Sequence, residues 1–265
     1  MDVLYKYVNA DRALTCLPDV GDGALRATQP QALNDPFECL VLPGTRRVSE
    51  APSDEIAALL SSLNGTTPVS SDAVEKARRE RGSLFLRDLL VEQLSQRYGI
   101  VSFTSNPLHP LMWAHYGNYG SGFAIGYDKA VIEQICHGND CLREMRYGNN
   151  VIPLVVLDAL NETNVNALLS TKGDIWQYEE EWRLIVELNE TIGTGKPDQL
   201  GYPINLLRIP NEAVAKVCYT ERTPAQVIDI VASRLSKANN RYRATRPIKL
   251  IATTGYGFDT APEGA

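Results

Sequence analysis

No apolar run in this 265-residue sequence is long enough to cross a bilayer, which takes about 20 consecutive apolar residues. The first residues also lack the basic start and the apolar stretch of a secretory signal peptide. We therefore expect a cytoplasmic protein that does not associate with a membrane.

Cysteine is scarce and its spacing is irregular. The five cysteines are odd in number and include no Cys-x-x-Cys pair, which argues against a disulfide framework and against a structural zinc site. Cys136, His137 and Cys141 form only a faint metal pattern, because a fourth ligand at the usual spacing is missing. The expectation is a protein without a bound metal.

Basic residues are outnumbered by acidic ones, with 26 Lys and Arg against 32 Asp and Glu, and the formal net charge is −6. Proteins that coat nucleic acid neutralise many phosphates with Lys and Arg, so a broad nucleic-acid surface is not expected. The sequence contains neither a Gly-x-Gly-x-x-Gly motif nor a Walker A motif, which argues against a Rossmann dinucleotide fold and a P-loop ATPase.

The apolar patterning predicts strands interleaved with helices. Strands are predicted at residues 3–8, 100–104, 123–127, 142–147, 182–188, 204–209, 214–219 and 247–253. Helices are predicted from Asp54 and Asp72, after Asp128, from Pro153 and from Pro224. Half-buried alternation and many turns favour an α+β fold with a mixed, largely antiparallel sheet system and flanking helices. We expect a single domain over residues 1–265 with a helical insertion at about 50–98.

Residues 176–188 combine three adjacent glutamates with an alternating strand pattern. The period of two places Glu179, Glu181 and Arg183 on one strand face and apolar residues on the other. Aromatic residues at Trp176 and Tyr178 indicate a ring-lined wall, where desolvation and mutual repulsion should raise a carboxyl pKa. This pattern predicts a functional pair of carboxylates, and the alternative is a solvated acidic entry to an edge strand.

Residues 100–128 have the most unusual composition and read as strand, loop, short helix, turn and strand. Alternation turns Ser102 and Thr104 to one face, where their hydroxyls could bind a ligand or simply face water. The aromatic, glycine-rich surroundings of His115 and Tyr116 suit the stacking of a flat ring. The plainer alternative is a core-packed Trp113 with a hydrogen-bonded histidine.

The segment from Asn34 to Phe37 carries turn chemistry, since an Asx side chain can bond the backbone ahead and Pro36 fixes its own φ. We interpret Asn34, Asp35 and Phe37 as a rim of the same pocket, with Phe37 buried. The alternative is a turn with no other role.

These features together resemble an uncharacterised bacterial domain-of-unknown-function family. The motifs that carry the resemblance are Tyr5-Lys-Tyr7, Leu33-Asn-Asp-Pro-Phe-Glu38, Ser102-Phe-Thr104, Met112-Trp-Ala-His-Tyr116 with Gly122-Phe123 and Tyr127-Asp128, Lys172, and Trp176-x-Tyr-Glu-x-Glu-Trp-Arg183. Their order and residue types span roughly the first two-thirds of the chain, and the family implies no settled activity.

A weaker resemblance leads to ADP-ribosyltransferases, in which an aromatic first strand, a Ser-x-Thr-Ser strand and a late Glu-x-Glu surround NAD. The resemblance implies that Glu181 contacts the ribose, that Glu179 is its partner, and that Tyr5 or Lys6 replaces the usual first-strand arginine or histidine. The NAD-binding residues that it implies are Tyr5, Lys6, Ser102, Thr104, Trp113, His115 and Tyr116. NAD is then the substrate, the acceptor is an unknown macromolecule, and the setting is bacterial defence or a toxin system.

Two other functions fit the same residues. The first is a metal-dependent hydrolase or nuclease with Asp35, Glu38, Glu179 and Glu181 around a divalent ion, because hard cations favour clustered carboxylates. The second is a non-enzymatic module whose aromatic groove binds a nucleotide or a peptide.

Overall fold

The computed structural model describes residues 2–37, 41–43, 51–64, 68–135, 141–148, 152–154, 162–237 and 241–262. Three residues named above, Glu38, Cys136 and His137, lie outside these ranges. Within them the fold is α+β, as predicted.

The helices flank a sheet system, and helices and strands are numbered here in chain order. The α-helices within the described ranges are α1 (Ala10–Cys16), α2 (Ser53–Asn64), α3 (Ser71–Arg81), α4 (Phe85–Arg97), α5 (Pro110–His115), α6 (Lys129–Ile135), α7 (Glu162–Leu169) and α8 (Ala225–Lys237). The strands are β1 (Val3–Val8), β2 (Gly23–Ala27), β3 (Val41–Pro43), β4 (Tyr98–Thr104), β5 (Phe123–Asp128), β6 (Leu142–Glu144), β7 (Arg146–Tyr147), β8 (Ile152–Leu154), β9 (Thr171–Lys172), β10 (Glu181–Glu187), β11 (Ile192–Pro197), β12 (Pro203–Ile209), β13 (Val214–Thr220), β14 (Ile248–Ala252) and β15 (Phe258–Thr260).

The largest sheet has eight strands in the order β15-β14-β13-β5-β1-β4-β10-β6. Its pairs are antiparallel except for β13 with β14, so the predicted mixed, largely antiparallel sheet is confirmed. Smaller sheets are β11-β12-β2, β3-β8 and β7-β9.

The large sheet opens between the neighbouring strands β1 and β4. β1 pairs with β5 over all of Val3–Val8, but its register with β4 is the pair Tyr5 with Thr104. Farther back along β4, Ile100 instead forms an isolated bridge with Thr28, which follows β2. The polar side chains near this opening therefore line a cleft rather than a continuous sheet face.

Two apolar clusters support the cleft from opposite faces of the large sheet. On one face, α4 and its neighbours pack against Ile100 and Ile185. On the other, α1, α6 and α8 cover the alternate residues of β1, β4 and β10, which include Leu4, Phe103 and Leu184. Rigid packing on both sides fixes the strands that carry the polar groups.

Two local predictions are wrong. Pro153 lies in β8, which pairs in parallel with β3, and does not begin a helix. Proline is tolerated there because a strand at a sheet edge can spare one backbone donor. Cys141 is disulfide-bonded, although the spacing of the cysteines indicated no disulfide framework. Cys16 and Cys218 are buried free thiols.

Within the described ranges, no helix has the length and the apolar character that crossing a bilayer requires.

Candidate functional site

A cavity of about 220 Å³ lies at the opening between β1 and β4. It brings together eight of the predicted site residues, which are Tyr5, Lys6, Asn34, Ser102, Thr104, Tyr116, Glu179 and Glu181. Lys172 and Arg183 also line it, although no sequence pattern predicted a role in the site for either residue. β4, which carries Ser102, pairs directly with β10, which carries Glu181.

Strand register explains why these residues meet. Glu181 is opposite Thr104, which is opposite Tyr5, and Arg183 is opposite Ser102. Directly opposed residues in antiparallel strands project to the same face, so the side chains form two rows across the cleft. The Thr104 hydroxyl accepts from the backbone N–H of Asn106 at 3.0 Å and therefore holds the turn after β4.

Glu179 reaches the cavity by a route that the alternation did not predict. It ends the 3-10 helix Asp174–Glu179, and β10 begins only at Glu181. Between them Glu180 has φ of 43°, in the left-handed region that non-glycine residues rarely adopt. This turn sends Glu180 to Ser105 and Asn106 outside the cavity, while Glu179 and Glu181 both reach Lys172. The prediction that Glu179 lies on the strand is wrong.

Lys172 is the cation between the two carboxylates. Its Nζ lies 2.6 Å from Glu179 Oε2 and 3.3 Å from Glu181 Oε2, and all three side chains are buried. β9, which carries Lys172, pairs with β7. Periodicity could not predict that Lys172 pairs with the two carboxylates, because a strand of two residues has no alternating pattern. The one feature of the sequence that singled out Lys172 was its presence among the family motifs.

Arg183 forms the second ion pair of the site. Its Nε donates to Glu181 Oε1 at 2.9 Å, its Nη2 donates to Glu181 Oε2 at 3.2 Å, and its Nη1 donates to the carbonyl of Leu169 at 2.8 Å. Arg183 is 1% exposed. A guanidinium held in this way fixes the carboxylate plane as well as its charge.

The pKa of Glu181 is lowered, contrary to the prediction of a raised carboxyl pKa. Burial alone would raise it, but the charges of Arg183 and Lys172 and the hydrogen bonds from Arg183 and Ser102 bring the pKa down to about 2. Glu181 is therefore ionised at neutral pH. The prediction failed because repulsion between neighbouring glutamates was considered without the two cations that neutralise it.

A hydrogen-bond chain links the Asn34 segment to the carboxylates. Asn34 Nδ2 donates to Tyr116 Oη at 2.8 Å, and Tyr116 Oη donates to Glu179 Oε1 at 2.6 Å. Burial and then the charge of Glu179 raise the pKa of Tyr116, so its hydroxyl stays protonated. Asn34, Tyr116 and Glu179 come from three separate motifs and meet in one network.

Lys6 lies on the wall that the cavity shares with a second one. Burial lowers the pKa of Lys6 to about 8, although the charge of Glu181 opposes this shift. The second cavity has a volume of about 370 Å³ and shares Lys6, Tyr7, Thr28 and Tyr116 with the first.

Two of the predicted ring-binding residues lie elsewhere. Trp113 is 1% exposed, packs edge-on against Tyr7 with ring centroids 5.1 Å apart, and donates from Nε1 to the carbonyl of Pro107. The core alternative is therefore correct for Trp113. His115 is exposed and lines the second cavity rather than the first.

The Asn34 segment is split between two roles. Asp35 Oδ1 accepts from the backbone N–H of Phe37 at 2.9 Å, which is the Asx turn that the residues predicted. Asp35 lines a different cavity, with Arg81 and Arg87. Phe37 is 67% exposed, so the prediction of a buried Phe37 is wrong. The turn is held by the Asp35 carboxylate and needs no packing of the phenyl ring.

The same geometry bears on a divalent ion at this site. Lys172 Nζ already lies between Glu179 and Glu181, so a metal there would have to displace it. Among the described residues, no group of three or more His, Cys, Asp and Glu is arranged to hold a metal. Asp35 faces a different cavity, and Glu38 lies outside the described ranges.

Among known proteins, this chain matches one family model. No curated protein and no solved structure matches the chain. Residues 112–184 match the model of a family described as Protein of unknown function (DUF2971). The matched segment includes Tyr116 and the four ion-paired residues of the first cavity, which are Lys172, Glu179, Glu181 and Arg183. The match confirms that this chain resembles a domain-of-unknown-function family.

Proposed function

We propose that this protein is an ADP-ribosyltransferase-like enzyme that cleaves the nicotinamide–ribose bond of NAD and transfers ADP-ribose to an unidentified acceptor. The observation that carries the proposal is the convergence of Lys6, Ser102 and Glu181 from three strands on one cavity. These are the three elements expected around NAD. The expected cytoplasmic location and a role in bacterial defence or a toxin system belong to this proposal.

Electrostatics supports Glu181 as the acid beside the ribose. When the nicotinamide bond breaks, its electron pair leaves with the nicotinamide nitrogen, and positive charge develops on the ribose. An ionised carboxylate that is already oriented stabilises this charge without reorganisation. Glu181 meets both conditions, because its pKa is about 2 and Arg183 holds it by two hydrogen bonds.

The donors around Glu181 determine how a ribose hydroxyl could approach. A carboxylate offers roughly four acceptor positions. Those of Glu181 take Nε and Nη2 of Arg183, Nζ of Lys172 and the hydroxyl of Ser102. Ser102 is the uncharged donor among them, so a ribose hydroxyl replaces its bond at the lowest cost.

Glu179 is the candidate partner acid. The acceptor nucleophile forms the new bond to the ribose carbon and gives up a proton, which Glu179 takes. The hydrogen bond from Tyr116 and the ion pair with Lys172 hold Glu179 in place for this step. In the absence of an acceptor, water takes the same part and the reaction is hydrolysis of NAD.

The measurement that tests the proposal is nicotinamide release from NAD, followed by chromatography with and without candidate acceptors. Glu181→Gln should lower the rate by roughly a hundredfold or more, the scale of losing one preorganised electrostatic contact. Glu180→Gln is the matched control, because Glu180 is adjacent but bonds Ser105 and Asn106 outside the cavity.

Glu181→Gln also leaves Arg183 and Lys172 without a charge partner, so its folding must be checked by thermal melting. Ser102→Ala leaves the ion pairs of Glu181 with Arg183 and Lys172 in place. Its rate of nicotinamide release can therefore be compared with that of wild type without this loss of charge pairing. If folded wild-type protein releases no nicotinamide with any acceptor, or if the Glu181 and Glu180 variants release it equally, the proposed activity is wrong.

A non-enzymatic nucleotide-binding module is the second candidate. It is favoured by the contacts of Glu181, whose carboxylate already accepts two hydrogen bonds from Arg183 and one from Lys172. In that case NAD should raise the melting temperature of the protein while no nicotinamide is released.

A further inference from the structure

The second cavity is rich in cations. It adjoins the first along Lys6 and Tyr7 and is lined by Lys6, Arg12 and Arg26. None of its described lining residues is acidic. Asn9, Asn118 and His115 add polar side chains to the same walls. This composition contrasts with the first cavity, where Glu179 and Glu181 offset Lys172 and Arg183.

The cations of the second cavity are incompletely paired. Arg26 donates from Nη2 to Asp198 at 2.6 Å, but its Nε is buried without a hydrogen-bond acceptor. The guanidinium of Arg12 has no ion-pair partner within the described residues. A buried donor left without an acceptor is costly, so an added anion gains from satisfying it.

Repulsion among these cations also favours the binding of an anion in the second cavity. Burial is the main cause of the lowered pKa of Lys6. The charge of Glu181 opposes this shift, and the charges of Arg12 and Arg26 add to it. Like charges around a partly desolvated space raise the free energy of the empty cavity. An anion would relieve that repulsion and would keep Lys6 charged to a higher pH.

We propose that the second cavity is an anion site that takes the diphosphate of a nucleotide whose ribose end lies in the first cavity. The first cavity, at about 220 Å³, is smaller than the roughly 300 Å³ or more that usually encloses a whole ligand. A dinucleotide must therefore extend out of it, and the shared wall at Lys6 leads into the cationic space. The identity of the full ligand rests on the proposed function, but the binding of a diphosphate group does not.

The test is calorimetric titration of the full chain with inorganic pyrophosphate, ADP-ribose and adenosine. The two diphosphates should bind, adenosine should bind more weakly than ADP-ribose, and affinity for pyrophosphate should fall as salt rises. Arg12→Gln should weaken pyrophosphate binding by about tenfold or more, since it removes a charge-assisted contact. Arg12→Lys should restore part of the affinity.

Arg79→Gln is the control for charge alone, because Arg79 is exposed on α3 and lines neither cavity. Pyrophosphate affinity that is equal in the Arg12 and Arg79 variants, or no pyrophosphate binding to folded wild type at millimolar concentration, overturns the anion site. Loss of pyrophosphate binding in Arg12→Gln supports the site even if wild type releases no nicotinamide. The two proposals can therefore fail separately.

Discussion

Arg183 donates two hydrogen bonds to Glu181, two residues earlier on the same strand, and both side chains are almost completely buried. Removing one member of a buried ion pair leaves the other charge uncompensated, at a cost of about 3–5 kcal/mol. Glu181→Gln should therefore lower the free energy of unfolding by about that amount at neutral pH. Urea denaturation measures it, and Glu180→Gln should stay within about 0.5 kcal/mol of wild type. Equal stability of the two variants would show that the pair contributes little.

Stability should fall in acid because of the same carboxylate. The pKa of Glu181 is lowered from 4.5 to about 2, so the folded state binds this proton less readily than the unfolded state. The stabilisation is complete above pH 4.5 and is lost as the pH falls from 4.5 toward 2. Denaturation series between neutral pH and pH 3 should show a smaller difference between wild type and Glu181→Gln in acid. A difference that is constant with pH would contradict the lowered pKa.

Anion affinity should fall as the pH rises through the pKa of Lys6. Burial lowers that pKa to about 8 against the opposing charge of Glu181, so Lys6 loses its charge above this pH. Pyrophosphate titrations between pH 7 and pH 9 should show the decrease, and Lys6→Gln should bind more weakly at pH 7 with a flatter profile. The same slope in both proteins would exclude Lys6 as its source.

The hydroxyl of Tyr116 should contribute to stability through Asn34 and Glu179. Tyr116→Phe removes the donor to the buried Glu179 carboxylate and the acceptor for Asn34, at a cost of about 1–3 kcal/mol. A double-mutant cycle of Tyr116→Phe with Asn34→Ala should show coupling, since the second change has little left to remove. Additive losses in urea denaturation would show that the Asn34 bond does not form in solution.

Trp113 and Phe37 should respond to truncation in opposite ways. Trp113→Ala removes a core ring that is 1% exposed and should cost about 3–5 kcal/mol. Phe37→Ala removes a ring that is 67% exposed and should change stability by less than about 0.5 kcal/mol. Urea denaturation of both variants provides the comparison. A large loss for Phe37→Ala would mean that the ring is buried in solution.

Period-two alternation was enough to predict the strands of the site and which of their side chains share a face. Alternation predicted that Ser102 and Glu181 lie on strands, because apolar residues recur at every second position of a half-buried strand. That these two strands pair followed only when the order of the motifs was added. The helices α2, α3 and α8 were also predicted, to within two residues of their first residue, from helix-start residues and apolar spacing.

The ionic details depend on tertiary contacts and could not be predicted in this way. The left-handed backbone of Glu180 brings Glu179 and Glu181 to the same cation, and no local pattern indicates such a turn at a glutamate. Lys172 and Arg183 reverse the expected direction of the Glu181 pKa. The burial of Trp113 depends on Tyr7, more than 100 positions earlier in the chain.

The opening between β1 and β4 also bears on how the protein fluctuates. The five strands up to β1 and the three from β4 onward share one register pair, Tyr5 with Thr104. Cooperative units of partial unfolding tend to separate where few backbone bonds cross. Native-state hydrogen exchange should therefore find two foldons that meet at this pair, and a ligand that contacts both sides should slow exchange across the joint more than within either unit.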